Sequence, residues 1–281
     1  MEKKTAEQIE ESLRKKFHKV IFSKFCQAIN DYKLVEPGDK IAVCISGGKD
    51  SMLLAKLFQE LKRHNKFDFE IGFIVMNPGY SDKNIKLLQK NAKQINIPIT
   101  VFETQIFDNV FHVEKSPCYL CARMRRGHLY NKAKQLGYNK IALGHHYDDV
   151  IETILMGMLY GAQVQTMMPK LKSTNFEGME LIRPLYYVRE KDIVHWAEYN
   201  GLKFLQCACK FTEENYGGGK DFENTSSKRK KIKELIAMLA KSDPQVEYNI
   251  FKSVENVNLS TIISYKDKNN IRHHFLDDYD K

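Results

Sequence analysis

The chain has 281 residues, 43% of them hydrophobic and 28% charged, with a formal net charge of +9. That length suits one large α/β domain with appendages, and no uninterrupted apolar run approaches the roughly 20 residues that a membrane helix needs. The charged start Met1-Glu2-Lys3-Lys4 leads into no apolar core, so no signal peptide is expected. The six cysteines then read as metal, catalytic or incidental thiols of a cytoplasmic protein rather than as a disulfide framework.

Ile9, Leu13, Phe17, Val20, Ile21, Phe25, Ala28 and Ile29 recur at helical spacing and predict a long amphipathic helix over 5–31, or two in series. Pro37-Gly38-Asp39 turns the chain into an apolar strand over 40–45. That strand runs straight into Ser46-Gly47-Gly48-Lys49-Asp50-Ser51 and then a helix pattern. The spacing differs from the Walker loop, which has four residues between its glycines. Adjacent glycines let the backbone turn tightly and aim successive N–H groups at one anion. Ser46 and Ser51 add hydroxyl donors, Lys49 adds charge, and the following helix offers its positive end. Together they make a site for a pyrophosphate.

Further along, strands are predicted over 69–76, 98–102 and 140–144. Helices are predicted over 81–95 with Ser81 as N-cap, over 119–136 closed by Gly137, and over 148–160 with Asp148 as N-cap. This alternation indicates βαβ units and a doubly wound parallel sheet, with ligands beyond the carboxyl ends of the strands. The glycine loop, Met76-Asn77-Pro78 and Gly144-His145-His146 fall at such ends and are expected to converge on one crevice. Residues 181–185 read as a short extended piece, and 189–199 as a helix with the only tryptophan, Trp196. Residues 213–227, with Gly217-Gly218-Gly219, read as a loop, 227–241 as a basic helix and 244–254 as another. The charged tail 264–281 reads as frayed. Three regions result: a helical one at 1–36, an α/β nucleotide-binding domain at 37–206, and a basic, cysteine-containing helical region at 207–281.

Cys118-Tyr119-Leu120-Cys121 opens a helix, where the dipole favours thiolates. The pair suits a redox couple, half of a zinc site that Cys207 and Cys209 would complete, or an iron–sulfur site on three thiolates that leaves one iron open; two packed thiols are the plain alternative. Cys26 and Cys44 sit in apolar patterns and read as core. Tyr160, Met156, Met158, Met167 and Met168 read as packing. Basic residues cluster twice, at Arg123, Arg125 and Arg126 and at Lys228-Arg229-Lys230-Lys231. Such clusters neutralise phosphates, although a solvated helix start would look the same for the second. On a helix Arg123 and Arg126 share a face while Arg125 points elsewhere.

The hexapeptide 46–51 resembles the signature of the PP-loop ATP pyrophosphatases, which have the adenine nucleotide alpha hydrolase-like fold. Pro117-Cys118-Tyr119-Leu120-Cys121-Ala122-Arg123-Met124-Arg125-Arg126-Gly127 is similar to the Cys-x-x-Cys-x-Arg-x-Arg-Arg-Gly block of the tRNA 2-thiocytidine synthetase family. Ile141-Ala142-Leu143-Gly144-His145-His146-Tyr147-Asp148-Asp149, Ile182-Arg183-Pro184-Leu185 and Val188-Arg189-Glu190-Lys191-Asp192-Ile193 match that family in order. The resemblance implies a cytosolic enzyme that uses ATP, Mg2+ and a [4Fe–4S] cluster on three cysteines to replace the C2 oxygen of an anticodon-loop cytidine of tRNA with sulfur. It implies nucleotide contacts from Ser46, Gly47, Gly48, Lys49, Asp50, Ser51, Met76, Gly144 and Asp149. Asp50 and Asp149 would carry Mg2+, and Asp50 and Lys49 would act on the phosphates. Cys118 and Cys121 carry over as cluster ligands, with Cys207 and Cys209 both candidates for the third and Cys209 preferred. Arg123, Arg126, Lys228, Arg229, Lys230 and Lys231 would bind tRNA. The sulfur donor would be a cysteine desulfurase or sulfide, and a homodimer is compatible.

His145 and His146 are candidates for contact with substrate or nucleotide, against ordinary hydrogen-bonded structure. One departure stands out: the family has an Asp after its second strand, where this chain has Met76-Asn77-Pro78. The rival readings are a tRNA 2-thiouridine synthetase with the same machinery, an amide-forming or lysine-ligating PP-loop enzyme, and a non-catalytic zinc protein with four cysteine ligands that binds ATP and RNA.

Overall fold

The computed structural model describes residues 4–64, 68–106, 117–205, 220–277 and 279, with the side chains of 117–119 and 220–227 outside the description. Cys207, Cys209 and the glycine run 217–219 therefore lie outside the described residues, as does the side chain of Cys118. Residues 220–227, expected as loop, are helical in backbone.

The leading helix is two in series, α1 (Ala6–Arg14) and α2 (Ser23–Asp31), joined by a π-helical segment His18–Phe22. Thr5 and Gln8 form a capping box at the start of α1, each side chain accepting the other's backbone N–H. The π segment has a cause in the sequence. Ile9, Leu13, Phe17, Ile21, Phe25 and Ile29 repeat every four residues and are all buried. A period of four drifts by about 40° per step on a helix of 3.6 residues per turn. The wider i→i+5 turn returns the stripe to the core.

The sheet has six strands in the order β3-β2-β1-β4-β6-β5, where β1 is Lys40–Ile45, β2 Glu70–Asn77, β3 Ile99–Glu103, β4 Lys140–Ala142, β5 Lys170–Lys172 and β6 Glu180–Ile182. All neighbours run parallel except β5 against β6. Residues 181–185, read as a short extended piece, thus begin in an inner strand. Strand β1 is buried on both faces and its side chains alternate. Ile41, Val43 and Ile45 enter the larger core with α1, α2 and α3 (Lys49–His64), while Ala42 and Cys44 meet Tyr130 and Ala133 of α5 (Pro117–Gln135) on the other face. The remaining helices are α4 (Asp82–Gln94), α6 (Tyr147–Gly161), α7 (Glu190–Tyr199), α8 (Lys220–Ser242) and α9 (Val246–Ser253). Ile9 of α1, Trp196 of α7, Ile232 of α8 and Phe251 of α9 share one core with the sheet.

Several expectations are corrected. Ser81 is the N-cap of α4 but makes no side-chain capping bond. Met158, Tyr160 and Met168, expected to pack, are exposed. Part of the tail forms a hairpin of β7 (Ser264–Lys266) and β8 (Arg272–His274), with Asp267 accepting the backbone N–H groups of Asn269 and Ile271 in the turn.

Candidate active site

The order of strands reverses between β1 and β4, which opens a crevice at their carboxyl ends. The loop 46–51 leaves β1 there. Its hydroxyls fix its shape: Ser51 Oγ accepts the Ser46 N–H at 3.2 Å and donates to the Gly48 carbonyl at 3.0 Å. Gly47 has φ +88°, and a Cβ there would lie 2.7 Å from Leu205 Cδ1. At Gly144, two residues past β4, a Cβ would sit 3.1 Å from the backbone of Asp50 and Ser51, tighter than an ordinary contact, so a side chain there would push the loop back.

A cavity of about 370 Å3 fills the crevice, bordered by Ser46, Asp50, Ser51, Met76, Gly144 and Asp149. The three strand ends therefore converge as expected. Its far wall is α5, through Ala122, Arg125, Arg126 and Leu129. That face follows the i, i+3, i+4, i+7 stripe of a helix. Arg125 is thus part of the crevice, donating to the Tyr80 hydroxyl at 3.2 Å, whereas Arg123 lies off that face and is exposed. Cys121, one turn before Arg125, packs with Met76, Ile106 and Met124. At the unusual Met76-Asn77-Pro78, Asn77 Oδ1 accepts the N–H groups of Gly79 and Tyr80 at 3.1 and 2.7 Å and turns the chain away.

The N-cap of α6 is His146, not Asp148. His146 Nδ1 accepts the Asp149 N–H at 3.4 Å. Nε2 lies 3.9 Å from Asp50 Oδ1 and 3.6 Å from Asp149 Oδ2, between the two carboxylates. Asp148 instead accepts the Glu190 N–H at 2.6 Å and binds Arg189 at 3.1 Å, anchoring the start of α7. His145 is half-buried in the crevice wall, its Nδ1 atom buried and lacking a hydrogen-bond partner among the described residues. Burial, and then the nearby Arg183 charge, push its pKa down to about 4, so it is neutral at pH 7.

Charged groups continue around the loop. Lys49 lies 3.2 Å from Asp50 and 3.1 Å from Glu190. Lys233 of α8 lies 2.9 Å from Glu190 and 3.5 Å from Glu152. Arg229 donates to Glu152 at 2.6 Å and to Asp149 at 2.5 Å. Burial pushes the Glu190 carboxyl up, but the hydrogen bonds from Lys233 and Lys49 outweigh it and hold it at about 2. Two sequence expectations change accordingly. Arg229 reaches Asp149 at the border of the crevice while staying exposed, like its neighbours Lys228, Lys230 and Lys231. Lys49 is held between two carboxylates. Sequence reasoning also missed Glu152, Glu190, Lys233 and Arg183, although Arg183 and Glu190 stood inside the matched motifs.

Asp50 and Asp149 suit Mg2+. Asp50 Oδ1 is buried, and although Lys49 is near it, no donor among the described residues is aligned for a hydrogen bond. Among the described residues no three His, Cys, Asp or Glu side chains are grouped to hold a metal alone. Mg2+ takes one or two carboxylates plus substrate phosphates, so two carboxylates are enough for it.

Residues 14–211 match the PP-loop domain family. The chain is 34% identical over 244 residues to the tRNA-cytidine(32) 2-sulfurtransferase of Coxiella burnetii, covering 85% of this chain and 90% of that one. The chain belongs to the tRNA 2-thiocytidine synthetase family of PP-loop enzymes. A second member, the tRNA-cytidine(32) 2-sulfurtransferase of Neisseria meningitidis serogroup C, is 39% identical over 213 residues, covering 74% of this chain and 65% of that one. Among solved structures, the U34-tRNA thiolase NcsA from Methanococcus maripaludis with its [4Fe–4S] cluster shares the fold, with a TM-score of 0.64 and 21% identity over 84% of this chain and 79% of that one. The family's motifs thus correspond to the crevice: the loop after β1, the Gly144–Asp149 segment, and the Cys-x-x-Cys helix that forms the opposite wall.

Proposed function

We propose that this chain transfers sulfur to C2 of a cytidine in the tRNA anticodon loop, consuming ATP as AMP and pyrophosphate. The observation that carries this reading is the sharing of one crevice. Helix α5 bears Cys118 and Cys121 in its first turns and supplies Arg125 and Arg126 to the cavity that the glycine loop borders.

A C2 carbonyl oxygen is a poor leaving group. Its attack on the α-phosphate forms a C2–O–AMP bond and releases pyrophosphate. Sulfide then attacks C2, and AMP departs with the original oxygen. In this reading the loop and the start of α3 hold the β- and γ-phosphates, with Asp50 and Asp149 carrying Mg2+. Lys49 exchanges its carboxylates for phosphate oxygens and offsets charge as the α–β bond breaks. Neutral His145 offers a hydrogen bond without adding charge beside the base. Arg125 and Arg126 draw the anionic RNA towards α5. Cys118, Cys121 and either Cys209 or Cys207 would hold a [4Fe–4S] cluster, which supplies an iron open to sulfur. A cysteine desulfurase or sulfide would provide that sulfur, in the cytoplasm.

Two measurements test this. With tRNA present, ATP should yield AMP and pyrophosphate, and Asp50→Ala should slow this by at least a hundredfold; release of ADP would contradict the mechanism. Protein purified without oxygen should carry about four irons per chain and lose them in a Cys118→Ala, Cys121→Ala double variant. Stoichiometric zinc without iron would favour the zinc-protein reading.

A further inference from the structure

Helix α8 is joined to the ATP site by charge. Arg229 Nη2 sits 2.5 Å from Asp149 Oδ1, while Asp149 Oδ2 accepts the His146 N–H at 3.1 Å. Each oxygen of this carboxylate therefore has one partner, and one of the two is a cation. Arg229 also donates through Nε to Glu152, whose side chain is only 3% exposed and which keeps Lys233 at 3.5 Å. Arg229 can thus leave Asp149 without stranding a buried charge. Lys233 in turn bridges to Glu190, which shares Lys49 with Asp50.

We propose that Arg229 is a resident cation on Asp149 that Mg2+·ATP displaces, and that its displacement loosens the start of α8 so that the exposed Lys228, Lys230 and Lys231 can adjust to tRNA. This rests on the reading of Asp149 as a Mg2+ ligand. A metal ion arriving at Asp149 meets the like charge of the Arg229 guanidinium 2.5 Å from Oδ1, and the repulsion between the two cations favours withdrawal of the arginine. The release is bounded by packing: Ile232 and Ile236 are buried in the core and hold the second half of α8. Ahead of Ile232, among the described side chains, the ties are the Arg229 pairs and a Lys228 contact 5.2 Å from the Tyr160 ring. Nucleotide binding and tRNA gripping are thereby coupled through one arginine.

The test is amide exchange of the full chain with and without Mg2+ and a non-cleavable α,β-methylene ATP analogue, with Mn2+ affinity read by electron paramagnetic resonance. Exchange across 228–231 should rise several-fold on adding the metal–nucleotide, while 232–242 stays protected. Arg229→Gln should raise exchange across 228–231 without nucleotide, remove the nucleotide response, and tighten Mn2+·analogue binding several-fold. The wild-type measurement stands alone if the variant folds poorly. Unchanged or lower exchange in the wild type at saturating analogue overturns the proposal. So does weaker Mn2+·analogue binding by a folded Arg229→Gln, which would make Arg229 a phosphate ligand. Failure of the wild type to bind Mn2+·analogue at all overturns the reading of the ATP site as well, and so is a distinguishable result.

Discussion

At the scale of single residues, the crevice depends on atoms that are absent as much as on those present. Gly144 has no Cβ, so the segment after β4 lies close against the backbone of Asp50 and Ser51. His146 uses one ring nitrogen to cap α6 and turns the other towards Asp50 and Asp149. Glu190 gives this scale a pH signature. Its carboxyl is held at about 2 against an ordinary 4.5, so the ionised form is favoured by folding. A depressed carboxylate contributes stability above its unfolded pKa and loses it as pH falls through the folded value. The contribution should be full above about pH 4.5 and fade towards pH 2. Chemical denaturation of wild type and Glu190→Gln should show a stability difference of about 2 kcal/mol at pH 6 that narrows through this window. A difference independent of pH would contradict the assignment.

At the scale of elements, α1 and α3 are joined by a buried ion pair. Lys56 is fully buried and donates to Glu10 at 2.6 Å, and Glu10 also binds Arg63. Such a pair adds little against an apolar replacement, but removing one partner leaves a buried charge. Glu10→Ala should therefore cost about 3 kcal/mol in urea unfolding, and adding Lys56→Met should recover most of it. A loss under 1 kcal/mol for the single change would mean that Gln59 and Glu60 alone satisfy Lys56. The elements were legible in the sequence wherever one period dominated. The four-residue stripe of 9–29 marked a helical lead, and only the drift of that period carried the π turn. The apolar run of β1 and the motif after it placed the glycine loop. The cap of α6 was misread because Asp148 is the commoner capping residue, while its carboxylate serves the neighbouring α7. Arg125 lies off the face that Arg123 and Arg126 share, and its place in the crevice follows from the Ala122-Arg125-Arg126-Leu129 stripe. The reach of Arg229 to Asp149 had no local signal, since its partners lie far back in the chain on α6.

At the scale of the whole molecule, one core joins the leading helices, the sheet and the helices α8 and α9. No helix among the described residues is long and apolar enough to cross a membrane. With Arg229 paired to Asp149 and Glu152, the outer charge of α8 falls to Lys228, Lys230 and Lys231, all exposed. A triple alanine variant of these lysines should bind tRNA more weakly, and the dependence of affinity on salt should flatten by about one unit per lost phosphate contact. Unchanged affinity and slope would put the tRNA path elsewhere, with Arg125 and Arg126 as the next residues to test.

The central claim is the conversion of an anticodon-loop cytidine to its 2-thio form, and mass spectrometry of tRNA nucleosides from a strain lacking this chain tests it most directly. The account predicts that 2-thiocytidine disappears and returns when the wild-type chain is restored, but not when Asp50→Ala is. An unchanged 2-thiocytidine level, or loss of a 2-thiouridine instead, would contradict it.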